Sequence, residues 1–462
     1  MLRLLARFVR CESPSREKPA VDAMARILAA EWRRRGAHVR ILRQPKRGNH
    51  VRAEIWLGHG RPAGVPAVAD SSRSRGVPTV AALSRRWGLP AVAELSAKAG
   101  QILVLGHMDT VYPLGTLAKM PFRISRGRAW GPGAFDMKGG LVIALFAVDA
   151  LRAARLHPRK RLVFLWTSDE EIGSETSRRS IEAEARRSDA VLVLEPPLGR
   201  AGRLKTARKG AVTAEIIVTG RAAHAGIEPE KGVNAVHELF FQIGRLMKWN
   251  NPRRGITVQA TVISGGTASN VVPAHASAQI DIRYAHAADA RLIARKLRTL
   301  RPILKGARID VRTTLGRPPL ERTAAVEKLF RQAQSLMSEM TSEMKHEMKR
   351  EKTHETTPEK MRKITHKMTH EMAHQTTREM ARGTTREMMR EMMRKTTREI
   401  SKPLGEASTG GGSDGNLTAA LGIPTLDGLG PVGDAAHSPR EHILTRSLPH
   451  RAALLAALLA TL

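Results

Sequence analysis

The sequence predicts an α/β fold with a mainly parallel sheet flanked by helices, because three short apolar runs each end in polar residues. These runs are 102–105, 162–166 and 191–194, and each is rich in branched or aromatic side chains. Continuous apolar runs of this length, separated by helix-like stretches, are typical of parallel strands that are buried on both faces. Polar residues that follow such strands then meet at one edge of the sheet, where ligands bind in open α/β folds.

A second unit is predicted within the first, because the pattern changes between residues 210 and 281. Apolar and polar residues alternate at 213–218 and 257–263, and a helical pattern covers about 233–247. Alternation with a period of two is typical of strands with one buried face. We therefore expect an inserted α+β unit with its own small core.

Length and composition restrict the class of protein. The chain has 462 residues, 42% of them apolar, so it can bury a sizeable core and is expected to form more than one domain. Its formal net charge is +34, which leaves a non-enzymatic binder of nucleic acid or anionic surfaces as one hypothesis. The single cysteine, Cys11, excludes an internal disulfide and a cysteine-rich zinc site.

Membrane insertion is not expected, since no stretch approaches the roughly 18 consecutive apolar residues that a spanning helix needs. Residues 1–10 are basic and apolar, but they lack the long apolar centre and the small-residue cleavage site of a signal peptide. We interpret them as a first helix. A cytoplasmic, reducing setting is expected, and a leader lost through a mis-assigned start is the alternative.

Two repetitive tracts interrupt the predicted domains. A phrase rich in Gly, Pro, Ala and Val recurs every 12 residues within 61–100, and a Thr-Thr-Arg-Glu-Met phrase recurs within 337–400. The first is predicted to be an expanded surface loop. The second is predicted to be a low-complexity insertion rich in Met, Thr, Arg and Glu, because it has almost nothing except Met to build a core. A soft-metal or partner-helix site on its Met and His residues is the alternative.

The first two chemical motifs combine a histidine with carboxylates. His107 and Asp109 end the first apolar run, and a carboxylate at this spacing can hold an imidazole by its second nitrogen. Asp136 lies in the glycine-rich segment 131–140, where the backbone can approach a ligand closely. A structural turn and a helix-capping Asp are the respective alternatives.

Further acidic groups and a second histidine follow later strands and loops. Asp169, Glu170 and Glu171 come directly after the second apolar run, Glu195 follows the third, and His437 lies in a late loop. Adjacent carboxylates repel one another unless water or a cation compensates them. Two histidines and several carboxylates without cysteine form a ligand set that suits a pair of divalent metal ions.

These motifs resemble the aminoacylase/carboxypeptidase family of di-zinc metallopeptidases, and within it the glutamate carboxypeptidase (carboxypeptidase G) branch. Acetylornithine deacetylase and succinyl-diaminopimelate desuccinylase lie near this branch. The resemblance covers nearly the whole chain outside the two tracts. The matching segments are 106–111, 131–140, 168–174, 194–196, 221–226, 410–416 and His437.

The resemblance implies two Zn²⁺ ions per subunit, with Co²⁺ or Mn²⁺ as alternatives. Asp136 would bridge the ions, and the remaining ligands would be His107 and Glu195 for one ion and Glu171 and His437 for the other. Asp109 would orient His107. Glu170 would take a proton from water to give a metal-bridging hydroxide and would then pass that proton to the departing amine. The family also implies a cis peptide after Asp136.

The inserted unit resembles the family's ferredoxin-like lid and dimerisation domain. The resemblance implies a homodimer in which His224 and Asn270 stabilise the oxyanion in the partner subunit's site. Arg317 would hold the carboxylate of the substrate, because a guanidinium can donate two parallel hydrogen bonds. No nucleic-acid or membrane partner is expected.

The predicted boundaries follow from these assignments. The catalytic domain comprises 1–208, 319–336 and 401–462, the lid comprises 209–318, and the tracts at 61–100 and 337–400 are insertions. The preferred hypothesis is a zinc metallopeptidase or amidohydrolase that removes a C-terminal, glutamate-like residue from N-acyl amino acids or peptides. The nearest alternative is an N-acyl amino acid deacylase of the acetylornithine or succinyl-diaminopimelate type.

Overall fold

A computed structural model describes residues 1–57, 100–353 and 403–462. Most of both repetitive tracts therefore lies outside the described residues. The central sheet has six strands in the order β1-β2-β6-β3-β7-β14. Their bounds are β1 His38–Leu42, β2 His50–Ile55, β3 Gln101–His107, β6 Arg161–Thr167, β7 Ala190–Val193 and β14 Thr425–Leu426.

The predicted parallel strands are confirmed. Strand β3 pairs in parallel with β6 on one side and with β7 on the other, and β7 pairs in parallel with β14. Only β2 runs in the opposite direction, since it pairs antiparallel with β1 on one side and with β6 on the other. The three predicted apolar runs correspond to β3, β6 and β7, although β3 and β6 extend beyond the predicted ends.

Both faces of the central sheet are covered, which explains the continuous apolar runs. Along β3, Ile102 and Val104 belong to one buried cluster, whereas Leu103 and Leu105 belong to a second cluster on the opposite face. The larger cluster also holds Trp32, whose ring lies 4.2 Å from that of Phe164 between centroids. Strands buried on both faces in this way are characteristic of parallel sheets between helical layers.

The described helices lie before, between and after the strands. They are α1 Leu2–Arg10, α2 Lys18–Arg34, α3 Thr116–Lys119, α4 Gly139–Ala153, α5 Arg178–Ala185, α6 Ala235–Met247, α7 Ala287–Arg298, α8 Ala324–Thr353, α9 Gly415–Ala419 and α10 Ser447–Thr461. Among these, none is both long and apolar enough to span a bilayer.

The inserted unit forms a separate four-stranded antiparallel sheet in the order β10-β11-β9-β12. Its strands are β9 Gly210–Thr219, β10 Thr257–Gly265, β11 His275–Tyr284 and β12 Arg308–Leu315. With α6 after β9 and α7 after β11, the chain order is βαββαβ, which is the ferredoxin-like arrangement. Alternate residues of β9 are buried in a core of their own, as the period of two predicts.

Two smaller sheets join loops near the carboxyl edge of the central sheet. Strand β13 Glu406–Thr409 pairs in parallel with β8 Leu204–Arg208. The other sheet has the order β15-β16-β5-β4. Its strands are β4 Arg123–Ser125, β5 Arg128–Trp130, β15 Gly433–Asp434 and β16 His442–Leu444.

The expected start of the second insertion at residue 337 does not coincide with a structural break. Helix α8 continues through this position to Thr353, and Met340 and Thr341 are buried. Met340 belongs to the core beneath the central sheet, and Met337 packs against that core. Apolar methionines at helical spacing therefore extend the helix into the repetitive tract, and the composition change did not mark the end of the packed helix.

Candidate metal centre

The candidate site lies where strands β3, β6 and β7 end side by side. His107 is the last residue of β3, and Glu195 follows the end of β7 by two residues. Glu170 and Glu171 begin a short 3-10 turn, Glu170–Ile172, that follows β6. The parallel pairing of these strands brings the three acids and the imidazole to one edge of the sheet.

Asp136 reaches the same edge from the glycine-rich loop before α4. The peptide bond between Asp136 and Met137 is cis, as the family resemblance implies. Gly133 allows this loop to approach the segment after β3 closely. Its φ of 70° is left-handed, and a Cβ at this position would lie 2.6 Å from Cγ2 of Thr110. The sequence therefore places a glycine where a side chain would move the loop that carries Asp136.

The two carboxylate oxygens of Asp136 face two different imidazoles. Its Oδ1 lies 3.1 Å from Nε2 of His107, and its Oδ2 lies 3.3 Å from Nε2 of His437. Each of these two nitrogens also lies near a second carboxylate. Glu195 Oε1 lies 3.4 Å from the His107 nitrogen, and Glu171 Oε2 lies 3.3 Å from the His437 nitrogen. Asp136 is therefore shared by two matching sets of donor atoms.

Asp109 holds both His107 and the acidic turn. The backbone carbonyl oxygen of Asp109 accepts a hydrogen bond of 3.0 Å from Nδ1 of His107. Because a carbonyl only accepts, Nδ1 carries a proton, and the lone pair of Nε2 is available to a metal. The Asp109 carboxylate accepts hydrogen bonds from the backbone amides of Glu170 and Glu171, and from the hydroxyl of Ser15 at 2.7 Å.

The cluster has strongly shifted acid–base properties. Burial raises the pKa of Glu170 well above its usual value, although the nearby Arg317 opposes this. Burial likewise raises the pKa of Glu171. Contacts with Asp136 and Glu171 raise the pKa of His437 to about 10. For Asp136, burial opposes ionisation, but hydrogen bonds from both imidazoles outweigh it and lower the pKa.

These donor atoms fit divalent cations. Two groups of three side chains, His107–Glu170–Glu195 and His107–Asp136–Glu171, each have possible ligand atoms within 4.8 Å of one another, and Nε2 of His437 lies 3.3 Å from Oε2 of Glu171. Within the described part of the chain, Oε1 of Glu171 is buried without a hydrogen-bond partner. Buried carboxylates with an unsatisfied oxygen are costly unless a cation compensates them. Imidazole nitrogens with carboxylate oxygens are ligands that Zn²⁺ and related ions prefer.

Arg317 lies within this cluster. Its Nη1 lies 2.7 Å from Oε1 of Glu170, and its Nη2 lies 3.2 Å from Oδ1 of Asp414. The same Nη2 donates to the hydroxyl of Ser174 at 2.6 Å. The guanidinium therefore joins the end of the inserted unit to the acidic turn of the catalytic unit.

His224 and Asn270 lie elsewhere, on exposed loops of the inserted unit. The backbone carbonyl of Asn270 accepts a hydrogen bond from the amide of Ala225, so the two loops are adjacent. Nδ1 of His224 accepts hydrogen bonds from the amides of Gly226 and Ile227, at 3.2 and 3.1 Å. In the neutral ring the proton is therefore on Nε2. Among the described residues, no hydrogen bond or ion pair connects either side chain to the His107–His437 cluster.

Several residues of the site were not singled out from the sequence. Arg208 lies 3.3 Å from Oε2 of Glu195 and is itself paired with Asp427 at 2.6 Å. Asp414 contacts Arg317, and Glu441 accepts hydrogen bonds from the loop that carries Asp136. These charged residues differ from the many others in the chain because they are buried. The sequence does not show which charged residues are buried, so it gave no signal for them.

The chain is similar in sequence to known proteins. Residues 103–461 match peptidase family M20/M25/M40. The chain is 34% identical to carboxypeptidase G2 of Pseudomonas sp. (strain RS-16) over 240 residues, which cover 52% of this chain and 58% of that protein. It is 32% identical to acetylornithine deacetylase of Edwardsiella ictaluri over 200 residues, covering 40% of this chain and 50% of that protein. The chain thus spans little more than half the length of the curated relatives it matches.

Solved structures share the fold. Aminopeptidase PepT from Bacillus cereus superposes with a TM-score of 0.64 at 18% identity, covering 99% of this chain and 97% of that chain. An M20 family metallo-carboxypeptidase from Sulfolobus solfataricus superposes with a TM-score of 0.60 at 16% identity, covering 99% and 98%. The family match extends over most of the chain and includes the strands and loops that carry His107, Asp136, Glu195 and His437. The chain belongs to peptidase family M20/M25/M40.

Proposed function

We propose that this chain is a zinc-dependent amidohydrolase of the carboxypeptidase type, which removes a C-terminal, glutamate-like residue from N-acyl amino acids or peptides. One observation carries the proposal: the carboxylate of Asp136 lies between His107 and His437, and each imidazole faces a further carboxylate. Similarity to carboxypeptidase G2 supports the choice of substrate. The direct test is hydrolysis of N-acyl-glutamates by the zinc-loaded chain.

The ligand set supports two ions per subunit. His107 and Glu195 would hold one ion, Glu171 and His437 would hold the other, and Asp136 would be shared. When bound, divalent ions polarise a carbonyl group and lower the pKa of water to about 7. Asp109 keeps the ring of His107 oriented through Nδ1, and Arg208 fixes one oxygen of Glu195.

Glu170 is the proton carrier of this proposal. Its carboxylate is buried, and among the described residues its side-chain ion pair is with Arg317 through Oε1. The raised pKa of Glu170 suits a group that accepts a proton from the attacking water and later donates it to the leaving nitrogen. The same carboxylate therefore acts as base and then as acid.

Arg317 is proposed to bind the carboxylate of the substrate. In this structure the guanidinium is already paired with Glu170 and Asp414, so a substrate carboxylate has to compete with these two acids. Displacing Arg317 from Glu170 would remove a contact that favours the ionised form of that group. Substrate binding and the basicity of Glu170 are thereby coupled.

Replacing Arg317 by Lys is expected to raise KM for N-acyl-glutamates by roughly 10- to 100-fold, the value of a charge-assisted hydrogen bond. Lysine keeps the charge but lacks the planar pair of donors. Substrates whose α-carboxylate is replaced by an amide should be affected much less. Parallel kinetics on both substrates and on the exposed control variant Arg312→Lys check this expectation. An equal loss on the acid and the amide would contradict a role in carboxylate binding.

A homodimer is proposed for the inserted unit. Helix α6 exposes Phe240 and Phe241, and the edge strand β10 exposes Val262 and Ile263. Exposed apolar side chains beside an unpaired strand edge are typical of a protein–protein contact. His224 would donate from Nε2 to the oxyanion in the partner subunit's site, since its Nδ1 is occupied by backbone amides.

Subunit complementation tests this arrangement. His224→Ala alone is expected to lower kcat by about 10²- to 10³-fold, as for other oxyanion donors. Co-expression with Glu170→Gln should restore about a quarter of wild-type activity, because half of the dimers are mixed and each mixed dimer has one intact site. Purification through two different tags isolates the mixed dimers. Inactive mixed dimers would place His224 in its own subunit's site, and a His224→Ala variant with wild-type kcat would place it outside catalysis.

Deacylation of N-acyl amino acids is a second candidate. Similarity to acetylornithine deacetylase and to succinyl-diaminopimelate desuccinylase 2 of Shewanella loihica, each 32% identical, supports it. The proposed machinery serves either side of the amide, so the choice depends on the groups that contact the substrate. N-acetylornithine and N-succinyl-diaminopimelate, assayed beside the N-acyl-glutamates, distinguish the two candidates. A non-enzymatic basic binder is not favoured, because it has no use for a buried set of carboxylates around two imidazoles.

A further inference from the structure

Two of the candidate ligands, Asp136 and His437, are carried by loops instead of strand ends. Asp136 precedes α4 in a segment with non-helical backbone angles, and His437 follows β15 with a left-handed φ of 60°. His107, in contrast, is part of a strand that is paired on both sides. The separation of Asp136 from His437 therefore depends on whatever joins their loops.

The carboxylate of Glu441 joins them. Glu441 lies four residues after His437 and has no solvent exposure. Its Oε1 accepts hydrogen bonds from the backbone amides of Phe135 at 2.7 Å and Asp136 at 2.9 Å. Its Oε2 accepts one from the amide of Gly133 at 3.1 Å. Three backbone hydrogen bonds to one side chain thus connect the Asp136 loop to the His437 loop.

A third loop is attached to the same carboxylate. The hydroxyl of Tyr112 donates to Oε2 of Glu441 at 2.6 Å. It lies 3.0 Å from the carbonyl oxygen of Ser438 as well. Tyr112 follows His107 by five residues, in the loop after β3. Glu441 therefore contacts the segments that carry His107, Asp136 and His437, although it is not itself within the donor sets of the cluster.

We propose that Glu441 is a positioning residue, which sets the spacing of Asp136 and His437 and thereby the affinity of the second metal ion. The inference rests on the proposed function, because it assumes that the cluster binds two ions. The ion on the Glu171–His437 side depends on Glu441 most, since two of its ligands are on the loops that Glu441 joins. The ion on the His107–Glu195 side depends on it less, because those ligands are at or near the ends of paired strands.

Glu238 provides a matched control. It too is a fully buried carboxylate that accepts backbone hydrogen bonds, from the amides of Ile303 and Leu304. It lies on α6 of the inserted unit, apart from the cluster. Replacing Glu238 by Gln therefore reproduces the loss of a buried, amide-bound carboxylate without touching a ligand-bearing loop.

The experiment is a zinc titration of the metal-free protein, followed by calorimetry and repeated with Co²⁺ to record its absorption spectrum. Glu441→Ala is expected to weaken the second ion by about 10- to 100-fold, the usual cost of removing a group that orients metal ligands. Glu441→Gln should show a smaller loss on the same ion, because one acceptor oxygen remains. Glu238→Gln should bind both ions as the wild type does.

Tyr112→Phe covers the case in which the Glu441 variants fail to fold. It removes one donor and leaves the three amide contacts, so a weakening of the second ion by a few-fold is expected. The inference is wrong if Glu441→Gln and Tyr112→Phe bind both ions normally, or if Glu238→Gln shows the same selective loss. A wild-type chain that binds no metal would contradict the proposed function itself, and the inference with it.

Discussion

Replacing Glu170 by Gln is expected to lower kcat for amide hydrolysis by about 10²- to 10⁴-fold while leaving the metal content unchanged. Glutamine has the same shape and can keep an oxygen toward Nη1 of Arg317, which now lies 2.7 Å from Oε1. It cannot accept the proton of the attacking water. The loss should therefore be in kcat, with little change in KM.

Stability should not account for this loss. Glu170 is buried, and burial raises its pKa well above the usual value, so a negative charge is costly at this position. A neutral side chain of equal size removes that cost, and Arg317 keeps its pair with Asp414, so the variant should unfold at a temperature close to that of the wild type. The melting temperature and the zinc content of the purified variant check both points.

Glu175→Gln is the matched control for Glu170→Gln. Glu175 lies five residues further along the chain, and its carboxylate forms an ion pair at the protein surface with Arg47 at 3.4 Å. Its loss should leave kcat within a factor of about two, because exposed ion pairs contribute little. A Glu170→Gln enzyme that retains wild-type kcat with two bound ions would remove Glu170 from the mechanism.

The strand ends and the donor residues could be predicted from the sequence because they depend on local patterns. Apolar runs identify β3, β6 and β7, and the polar residues after such strands must lie at one edge. His107, Glu171 and Glu195 lie at that edge, and His437 reaches Glu171 from a later loop. The proximity of these side chains was therefore accessible from strand order and from the resemblance, and their role as metal ligands stays a prediction.

The supporting contacts could not be predicted, because they join residues that are far apart in the chain. Glu441 binds the amide of Asp136 across 305 positions, and Asp414 accepts from Thr167 across 247. No local periodicity connects such pairs. The pairing of Arg317 with Glu170 was missed for the same reason, since the sequence presents Arg317 only as a cation before two prolines.

The boundary at residue 337 shows a different limit of sequence reasoning. The composition changes there, but Met340 still packs into the core. A methionine of the repetitive tract can also lie on the buried face of a helix, because its side chain is apolar and flexible. Low-complexity composition indicates where a tract is repetitive. It does not indicate where the last packed turn of a helix ends.

Replacing Asp136 by Ala is expected to have the largest effect on metal binding, with loss of both ions and of activity. Each carboxylate oxygen of Asp136 faces the Nε2 atom of a different imidazole, at 3.1 Å for His107 and 3.3 Å for His437. A substitution at Glu195 or Glu171 would remove a donor from one set only, whereas this one removes a donor from both. Glu195→Gln should therefore impair mainly one ion and Asp136→Ala both.

The thermal stability of the chain gives an independent readout of that difference. An ion that binds only the folded state stabilises it by an amount that grows with the ratio of free ion to Kd, so zinc should raise the melting temperature of the wild type. Asp136→Ala should melt at the same temperature with and without zinc. The control Asp149→Ala, which loses a partly exposed pair with Arg35, should keep the zinc-dependent increase. If Asp136 is a ligand of both ions, its loss should abolish the zinc-dependent increase in melting temperature, whereas Glu195→Gln should abolish only part of it. An increase in Asp136→Ala as large as that in Glu195→Gln would contradict a bridging role for Asp136.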